Sequence, residues 1–544
     1  MMLATRPDAL RALGEGSRHA QLAGLEHLEH IASQQAAATL DAPHSALTAV
    51  PLRESRRRIG EQFPGRAGGS VHRDHSPYGR AGVHGAVLLP QRQVPRGALN
   101  DSYEIPSVDL RRGHVGLWVS LATVAAVAGF GRHVWYAVLA PAERPVQIIW
   151  AAGFVWMGAQ WVLSWLDRPR KVTPEQQKSL DRLRVTVNIP LYNEDPAIVD
   201  RVLYAIAIQT RPVDRIEVVD DGSSVDYSAV RDHWQQRLPL AWMRQPNAGK
   251  KHAQVNTFRS PVAADIIVTI DSDTALEARA IQEGLKPFAD PRVQSVAGFE
   301  VAANPRANWL TRTASVRSLY FQITACGVQS AFGEILVNRG AFALYRADLL
   351  RDIADAYVNE TFRGYPIRLG DDAALTLFAR GRGRTVQQPS AFSFTVYPEK
   401  LKHHFKQWIR WMRATLIRDC WRLRYLPLSS YGWWFTFINT IAFLSMTGTI
   451  ILVAACWPAS AHYAAAGYLA MCAWASMSSL RLLAVRRSDE NWLNRLGTLF
   501  YYPMALLWGN LVLRPLRFYG IATWKRQGWV TRGKVEVELS GSKA

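Results

Sequence analysis

The sequence predicts an α/β domain inserted between transmembrane helices, and therefore an integral membrane protein. From Leu183 to about Ala391, short apolar runs alternate with amphipathic ones, the pattern of strands and helices in an α/β domain. That block is flanked on both sides by apolar stretches long enough to cross a bilayer core of ~30 Å. The composition agrees. The 544 residues carry 20 tryptophans and a formal charge of +20. Tryptophan gathers at membrane interfaces, and an excess of Lys and Arg suits a cytoplasmic membrane face and anionic ligands.

Residues 1–110 are rich in Ala, Arg, His and Gly, with basic clusters such as Arg56-Arg57-Arg58. They read as a disordered cationic tail, with a marginal helix over 18–40. Such a tail is either solvated or held at anionic headgroups. Met1 leads into polar and charged sequence, so no cleavable signal is expected. The cysteines Cys326, Cys420, Cys456 and Cys472 have no metal-site or CxxC spacing and read as reduced fillers. Residues 111–170 hold two spans, about Val115–Leu139 and Val146–Leu166. Arg168, Arg170 and Lys171 follow, which places the next domain, 171–397, in the cytoplasm at the cell membrane.

Within that domain, strand Val185–Ile189 runs into Pro190-Leu-Tyr-Asn-Glu194. Strand Ile216–Val219 runs into Asp220-Asp221-Gly222-Ser223, and the apolar run ending at Ile270 leads into Asp271-Ser272-Asp273. Ligands of open α/β sheets sit beyond the carboxyl ends of strands. Two carboxylates two residues apart point the same way off a strand, a hard-oxygen pair suited to Mg²⁺ or Mn²⁺ held largely through substrate phosphates. Asp220-Asp221-Gly222 supplies acceptors and a tight turn for a nucleoside, although it is also ordinary turn chemistry. Asn247-Ala-Gly249-Lys250-Lys251 places two cations beside a glycine, either to hold a diphosphate or as a basic surface loop. Gly370-Asp371-Asp372 opens a helix. A carboxylate there caps the helix or acts as general base, and Asp371 and Asp372 divide those roles.

Residues 398–428 read as an amphipathic interfacial helix. At about 100° per residue, Leu401, Phe405, Trp408, Ile409, Met412 and Leu416 share one face. Gln407, Arg410 and Trp411 fall opposite, where a guanidinium grips phosphate and an indole stacks on a sugar ring. Asn308–Ile323 forms a second amphipathic stretch, interfacial or in the domain core. Residues 429–520 hold two further spans, Tyr431–Trp457 and Tyr463–Val485, and an apolar segment, Leu496–Leu513. Basic residues at both ends of that segment (Arg495; Arg514, Arg517) favour a re-entrant or interfacial element, a fifth crossing being the alternative. Residues 521–544 form a cytoplasmic tail. No nucleic-acid recognition motif is present, and none is expected to bind.

In order, these clusters resemble the processive membrane glycosyltransferases of family 2 with the GT-A fold, most of all bacterial hyaluronan synthases. The resemblance runs through Ile189-Pro-Leu-Tyr-Asn-Glu-Asp195, Val218-Val-Asp-Asp-Gly-Ser-Ser224, Gly249-Lys-Lys-His-Ala-Gln254, Asp271-Ser-Asp-Thr274, Ala331-Phe-Gly-Glu-Ile-Leu-Val337, Asn359-Glu-Thr-Phe362, Gly370-Asp-Asp372, Gln407-Trp-Ile-Arg-Trp411 and Trp529-Val-Thr-Arg532. It implies a GT-A domain with a mixed, mostly parallel sheet. It implies that Asp221 contacts uridine, and that Lys250 or Lys251 contacts the diphosphate. Asp271 and Asp273 hold donor and metal, and Asp372 is the base. Gln407 and Arg410 contact the pyrophosphate, and Trp411 stacks on the acceptor sugar. Trp529, Thr531 and Arg532 match a loop that closes over the donor.

The implied activity is polymerisation of UDP-GlcNAc and UDP-GlcA into hyaluronan, passed out through the chain's own helices. A chitin-like or other β-glycan synthase is the alternative in the same class, and a silent scaffold or transporter the alternative outside it. The sequence departs from the pattern in three places. Asn338-Arg-Gly-Ala-Phe342 stands where the synthases usually read Cys-Ser-Gly-Pro-Leu, Ala373 stands for Arg, and Val530 for Gly. The first bears on donor choice rather than on the transfer reaction.

Overall fold

The computed structural model describes residues 103–110, 125, 129, 144–456 and 461–527. The basic tail up to 102, the span predicted over Val115–Leu139 apart from residues 125 and 129, and Trp529, Thr531 and Arg532 lie outside them. At the centre is an eight-stranded sheet, built from β2 (Val185–Leu191), β3 (Arg215–Asp220), β4 (Leu240–Arg244), β5 (Ile266–Ile270), β6 (Thr274–Leu276), β7 (Val293–Ala302), β8 (Phe342–Arg346) and β9 (Arg384–Thr395), in the order β4-β3-β2-β5-β8-β7-β9-β6. The pairings β2–β3, β2–β5, β3–β4 and β7–β9 are parallel; those made by β8 and β6 are antiparallel. The sheet is therefore mixed and mostly parallel, as expected.

The strand sequences explain their place. Every residue of β2 and β5 is buried, and the apolar, β-branched run Ile266-Ile-Val-Thr-Ile suits a strand covered on both faces. Register pairs Leu191 with Asp220 and Asn188 with Thr269. The polar clusters after β2, β3 and β5 thus emerge along one edge.

Around the sheet, α1 (Arg144–Leu163) covers most of the second predicted span and continues as a 3₁₀ turn to Leu166. Helix α2 (Lys250–Phe258) follows β4, and α3 is Trp309–Phe321. Asn308 caps α3 reciprocally with Thr311, which fixes where that helix starts. Val316 and Ile323 are buried with Phe299, Val301 and Phe392, so one side of this amphipathic stretch belongs to the domain core. Helix α4 (Asp371–Arg382) opens at the Gly-Asp-Asp cluster. The predicted interfacial helix forms as α5 (Leu401–Tyr425), with no Gly or Pro to interrupt it.

Beyond it come α6 (Tyr431–Ala455), α7 (Ala461–Ser479), a 3₁₀ turn, strand β10 (Val485–Arg487), α8 (Trp492–Trp508) and α9 (Arg514–Ala522). Among the described residues, two helical stretches are long and apolar enough to cross a membrane, Tyr431–Ala455 and Trp492–Ala522. The span expected over Tyr463–Val485 is a shorter α-helix, ending at Ser479; Leu480–Ala484 form a 3₁₀ turn and Val485 begins β10. That strand pairs antiparallel with β1 (Val108–Leu110). The last apolar segment is longer than Leu496–Leu513 because helical structure runs unbroken from 492 to 522, through a π-helical turn at Gly509–Leu513. Both of its flanks touch the α/β domain. Glu490 pairs with Arg312 at 2.9 Å, and Gln527 Oε1 accepts from the backbone N–H of Arg368 and Leu369.

Candidate active site

The site forms where the ends of β3 and β5 meet the starts of α2 and α4. Asp220 Oδ1 accepts from Ser223 N–H, closing the turn after β3. Gly222 sits at φ +76°, and a Cβ there would lie 2.8 Å from the backbone nitrogen of Asn247. Only glycine lets the two loops approach this closely. Asp221 is buried and accepts from the backbone N–H of Ala248 and of Gly249, both at 2.8 Å. The residue expected at uridine thus also shapes the loop that presents Lys250.

Lys250 bridges two elements. Its ammonium lies 2.7 Å from Asp271 Oδ1 and 2.7 Å from Asp371 Oδ2. Burial alone would lower this lysine, but the two carboxylates outweigh it and hold it above its ordinary value. Burial would likewise raise Asp371, yet Lys250 keeps it below the usual range. Asp271 is raised by burial and by the neighbouring Asp273 and Asp371 carboxylates, against the pull of Lys250. Asp372 is pushed up to about 6, by burial first and then by Asp371. A carboxyl in that range is suited to accept a proton near neutral pH.

Gly340, in the segment that departs from the synthase pattern, marks the middle of this group. A Cβ on it would lie 3.5 Å from Asp271 Oδ2, 3.5 Å from Lys250 Nζ and 3.8 Å from Asp372 Cβ. Lys250, Asp271 and Asp372, three of the predicted site residues, therefore lie together.

Lys251 is placed elsewhere. It is buried and pairs with Glu360, and its ammonium also donates to the carbonyls of Tyr357 and Ile367. Glu360 in turn accepts from both terminal guanidinium nitrogens of Arg418, at 2.7 and 2.8 Å. Of the two cations read as candidates for a diphosphate, Lys250 lines the site and Lys251 is held in the protein interior. Sequence reasoning missed this buried triad. Its one signal was Glu360 within Asn359-Glu-Thr-Phe362.

Arg418 also donates to the Gly370 carbonyl at 3.2 Å. A Cβ on Gly370 would meet Ala414 Cβ at 2.7 Å. Gln407, Arg410 and Trp411 lie on the same stripe of α5 as Ala414 and Arg418, at helical offsets of three, four and seven. The α5 stripe carrying these residues is thus the one that meets the start of α4. Trp411 is 46% exposed. The opposite, apolar face packs on the C-terminal helices. Trp408 Nε1 donates to the Leu513 carbonyl, Phe405 stacks on Trp508, and Gly520 lies against Met412. Gly370 itself is left-handed at φ +71°. Gly370→Ala is expected to cost about 1–2 kcal/mol in backbone strain alone and to push α5 away from α4. Thermal melting and turnover should both fall, and wild-type values for both would refute this packing.

Asp271 and Asp273 offer two carboxylates. Among the described residues no group of three or more His, Cys, Asp or Glu is placed to hold a metal ion. The donor set fits a Mg²⁺-type cation that completes its shell with substrate phosphate oxygens and water.

The family model described as "Glycosyltransferase like family 2" matches residues 182–414. The hyaluronan synthase of Streptococcus pyogenes serotype M1 is 30% identical over 383 residues, covering 69% of this chain and 88% of the relative. The chain belongs to glycosyltransferase family 2. This transferase is also 29% identical over 417 residues to an N-acetylglucosaminyltransferase of Rhizobium meliloti (strain 1021), covering 75% of this chain and 92% of the relative. Among solved structures, a mannosyltransferase from Pyrobaculum calidifontis in complex with GDP-Man and Mn2+ aligns with a TM-score of 0.43 at 20% identity, covering 72% and 98% of the two chains. The mixed sheet of the transferase is that of the GT-A fold, and the protein is a glycosyltransferase enzyme.

Proposed function

We propose that the transferase is a processive, inverting polysaccharide synthase of the cell membrane that makes hyaluronan from UDP-GlcNAc and UDP-GlcA. The observation that carries the reading is the meeting of the Asp271–Lys250–Asp371–Asp372 group with the α5 stripe bearing Gln407, Arg410 and Trp411. In this reading, Asp221 faces the uridine, Lys250 and Arg410 face the diphosphate, and Gln407 helps to orient it. Trp411 stacks on the acceptor sugar. Asp372 takes the proton of the acceptor hydroxyl held in line with the donor. Asp271 and Asp273 would hold Mg²⁺ or Mn²⁺, which neutralises charge developing on the leaving diphosphate.

The apolar face of α5, packed on the C-terminal helices, supports a site opening toward the membrane. Both flanks of the 492–522 helix touch the catalytic domain, which favours an element lying along the cytoplasmic interface over a fifth crossing. The Rhizobium relative keeps a second reading in view, a transferase that adds GlcNAc alone.

Purified protein supplied with both UDP-sugars is expected to make long product degraded by a hyaluronan-specific lyase, and none with either donor singly. Long product from UDP-GlcNAc alone would favour the second reading.

A further inference from the structure

One seam on the transferase holds polar groups that the chemistry above does not use. It lies between α3, α5 and α8. His404 is only 6% exposed, and neither of its ring nitrogens has a hydrogen-bond partner. The buried indole Nε1 of Trp508, whose ring lies 6.3 Å from that imidazole, is also without one. Arg317 reaches in from α3, its guanidinium 4.2 Å above the Trp408 ring, one turn along α5 from His404. No carboxylate among the described residues pairs with Arg317; its neighbours are the neutral Tyr502 hydroxyl and the like-charged Arg339 guanidinium. Arg339, by contrast, is matched to Glu300.

Unsatisfied buried polar groups are rare and ask for a missing partner. Water satisfies orphaned donors, but a partly buried cation with no counter-charge calls for an anion. The walls narrow the choice of anion. Trp309 and Phe405 pack on Trp508 with ring centroids 5.2 and 5.9 Å apart, and Trp408 sits edge-on to Trp411 at 6.1 Å. The rings pack on one another and, at Trp408, against Arg317, so the orphaned polar groups sit in apolar walls. The seam is thus continuous with the indole assigned to the acceptor. The burial of His404 argues against an outward surface for lipid headgroups.

We propose that the Arg317–His404–Trp508 seam is a binding site for the carboxylate of a uronic-acid residue in the growing polysaccharide. The proposal rests on the polymerase reading above and adds to it the group that recognises the acidic sugar. The carboxylate accepts from Arg317, and the imidazole and indole N–H groups bind its second oxygen or an adjacent sugar oxygen.

The test is equilibrium binding of a hyaluronan decasaccharide and of its carboxyl-reduced form to the full-length protein in lipid nanodiscs. The wild type is expected to prefer the acidic form by about 10-fold or more, the size of a charge-assisted contact. Arg317→Gln should abolish the preference, Arg317→Lys should retain part of it, and Trp508→Phe should weaken binding while keeping the ring. Equal binding of the two forms by the wild type, or an undiminished preference in Arg317→Gln, would overturn the site. So would a preference seen in phosphatidylcholine nanodiscs but abolished by phosphatidylglycerol, because the anionic lipid would then be the seam's occupant. Binding needs no turnover, so the outcomes separate. Acid preference without lyase-sensitive product sinks the product assignment alone. Lyase-sensitive product without acid preference sinks the seam alone.

Discussion

Asp372→Asn is expected to lower sugar transfer by about 10³-fold, within the range for loss of a general base, while UDP binding is unchanged. The side chain keeps its shape, and the backbone N–H of Ala373 that donates to Asp372 Oδ1 at 2.7 Å can still reach the amide oxygen. What disappears is the ability to take a proton. The pH profile tests the same assignment in the wild type. Asp372 is pushed up to about 6 by burial and by Asp371, so the carboxylate is the active form above that value. Transfer should fall as pH drops through about 6, and this limb should vanish from the residual activity of Asp372→Asn. Asp371→Asn provides the contrast. Asp371 is held low by Lys250, so its loss should disturb donor binding through a lysine left paired with Asp271 alone rather than remove the pH 6 limb. Unaltered turnover in Asp372→Asn would take that residue out of the mechanism.

The positions of the carboxylates were legible because strands end where short apolar runs end. Asp220-Asp221, Asp271-Ser-Asp273 and Gly370-Asp-Asp372 each mark a boundary, and boundaries are local. The face of α5 was legible for a similar reason, since helical period alone sets Gln407 and Arg410 apart from Phe405 and Met412. What the sequence left open depends on partners far along the chain. Lys250 and Lys251 are chemically equal neighbours. Their fates are decided by the phase of α2, which turns Lys251 inward with Ala253, Gln254, Val255 and Phe258, toward Glu360 more than 100 residues away. Likewise nothing in Asp221 itself announced that its oxygens would be taken by the Ala248–Gly249 backbone. The length of the C-terminal helix was underestimated because the basic residues Arg495 and Arg514 read as the ends of its apolar segment. In the structure Pro503 sits within α8, and Arg514 Nη1 donates to the Phe443 carbonyl and the Thr447 hydroxyl of α6.

The buried triad should be the strongest single determinant of stability near the site. Lys251, Glu360 and Arg418 side chains are 5%, 5% and 1% exposed. Their attraction offsets the cost of removing three charges from water only while all three remain. Glu360→Gln leaves two buried cations facing a neutral amide, and is expected to cost about 3–5 kcal/mol, the usual loss when one partner of a buried pair is removed. The exposed pair Arg259–Asp355, at 53% and 84%, is the internal control. Arg259→Ala should cost about 0–1 kcal/mol because solvent screens it. Thermal unfolding of the detergent-solubilised protein ranks the two, and co-melting of both variants would refute the role given to the triad. Replacing all three charges by apolar residues of similar size should recover much of the lost stability, since the desolvation cost disappears with the charges. It should not recover turnover. Arg418 also holds the Gly370 carbonyl, the hinge on which Asp372 is presented to the α5 stripe, and an apolar residue there has no donor to offer. Stability restored without catalysis would therefore identify the triad as the link that sets α5 against the base.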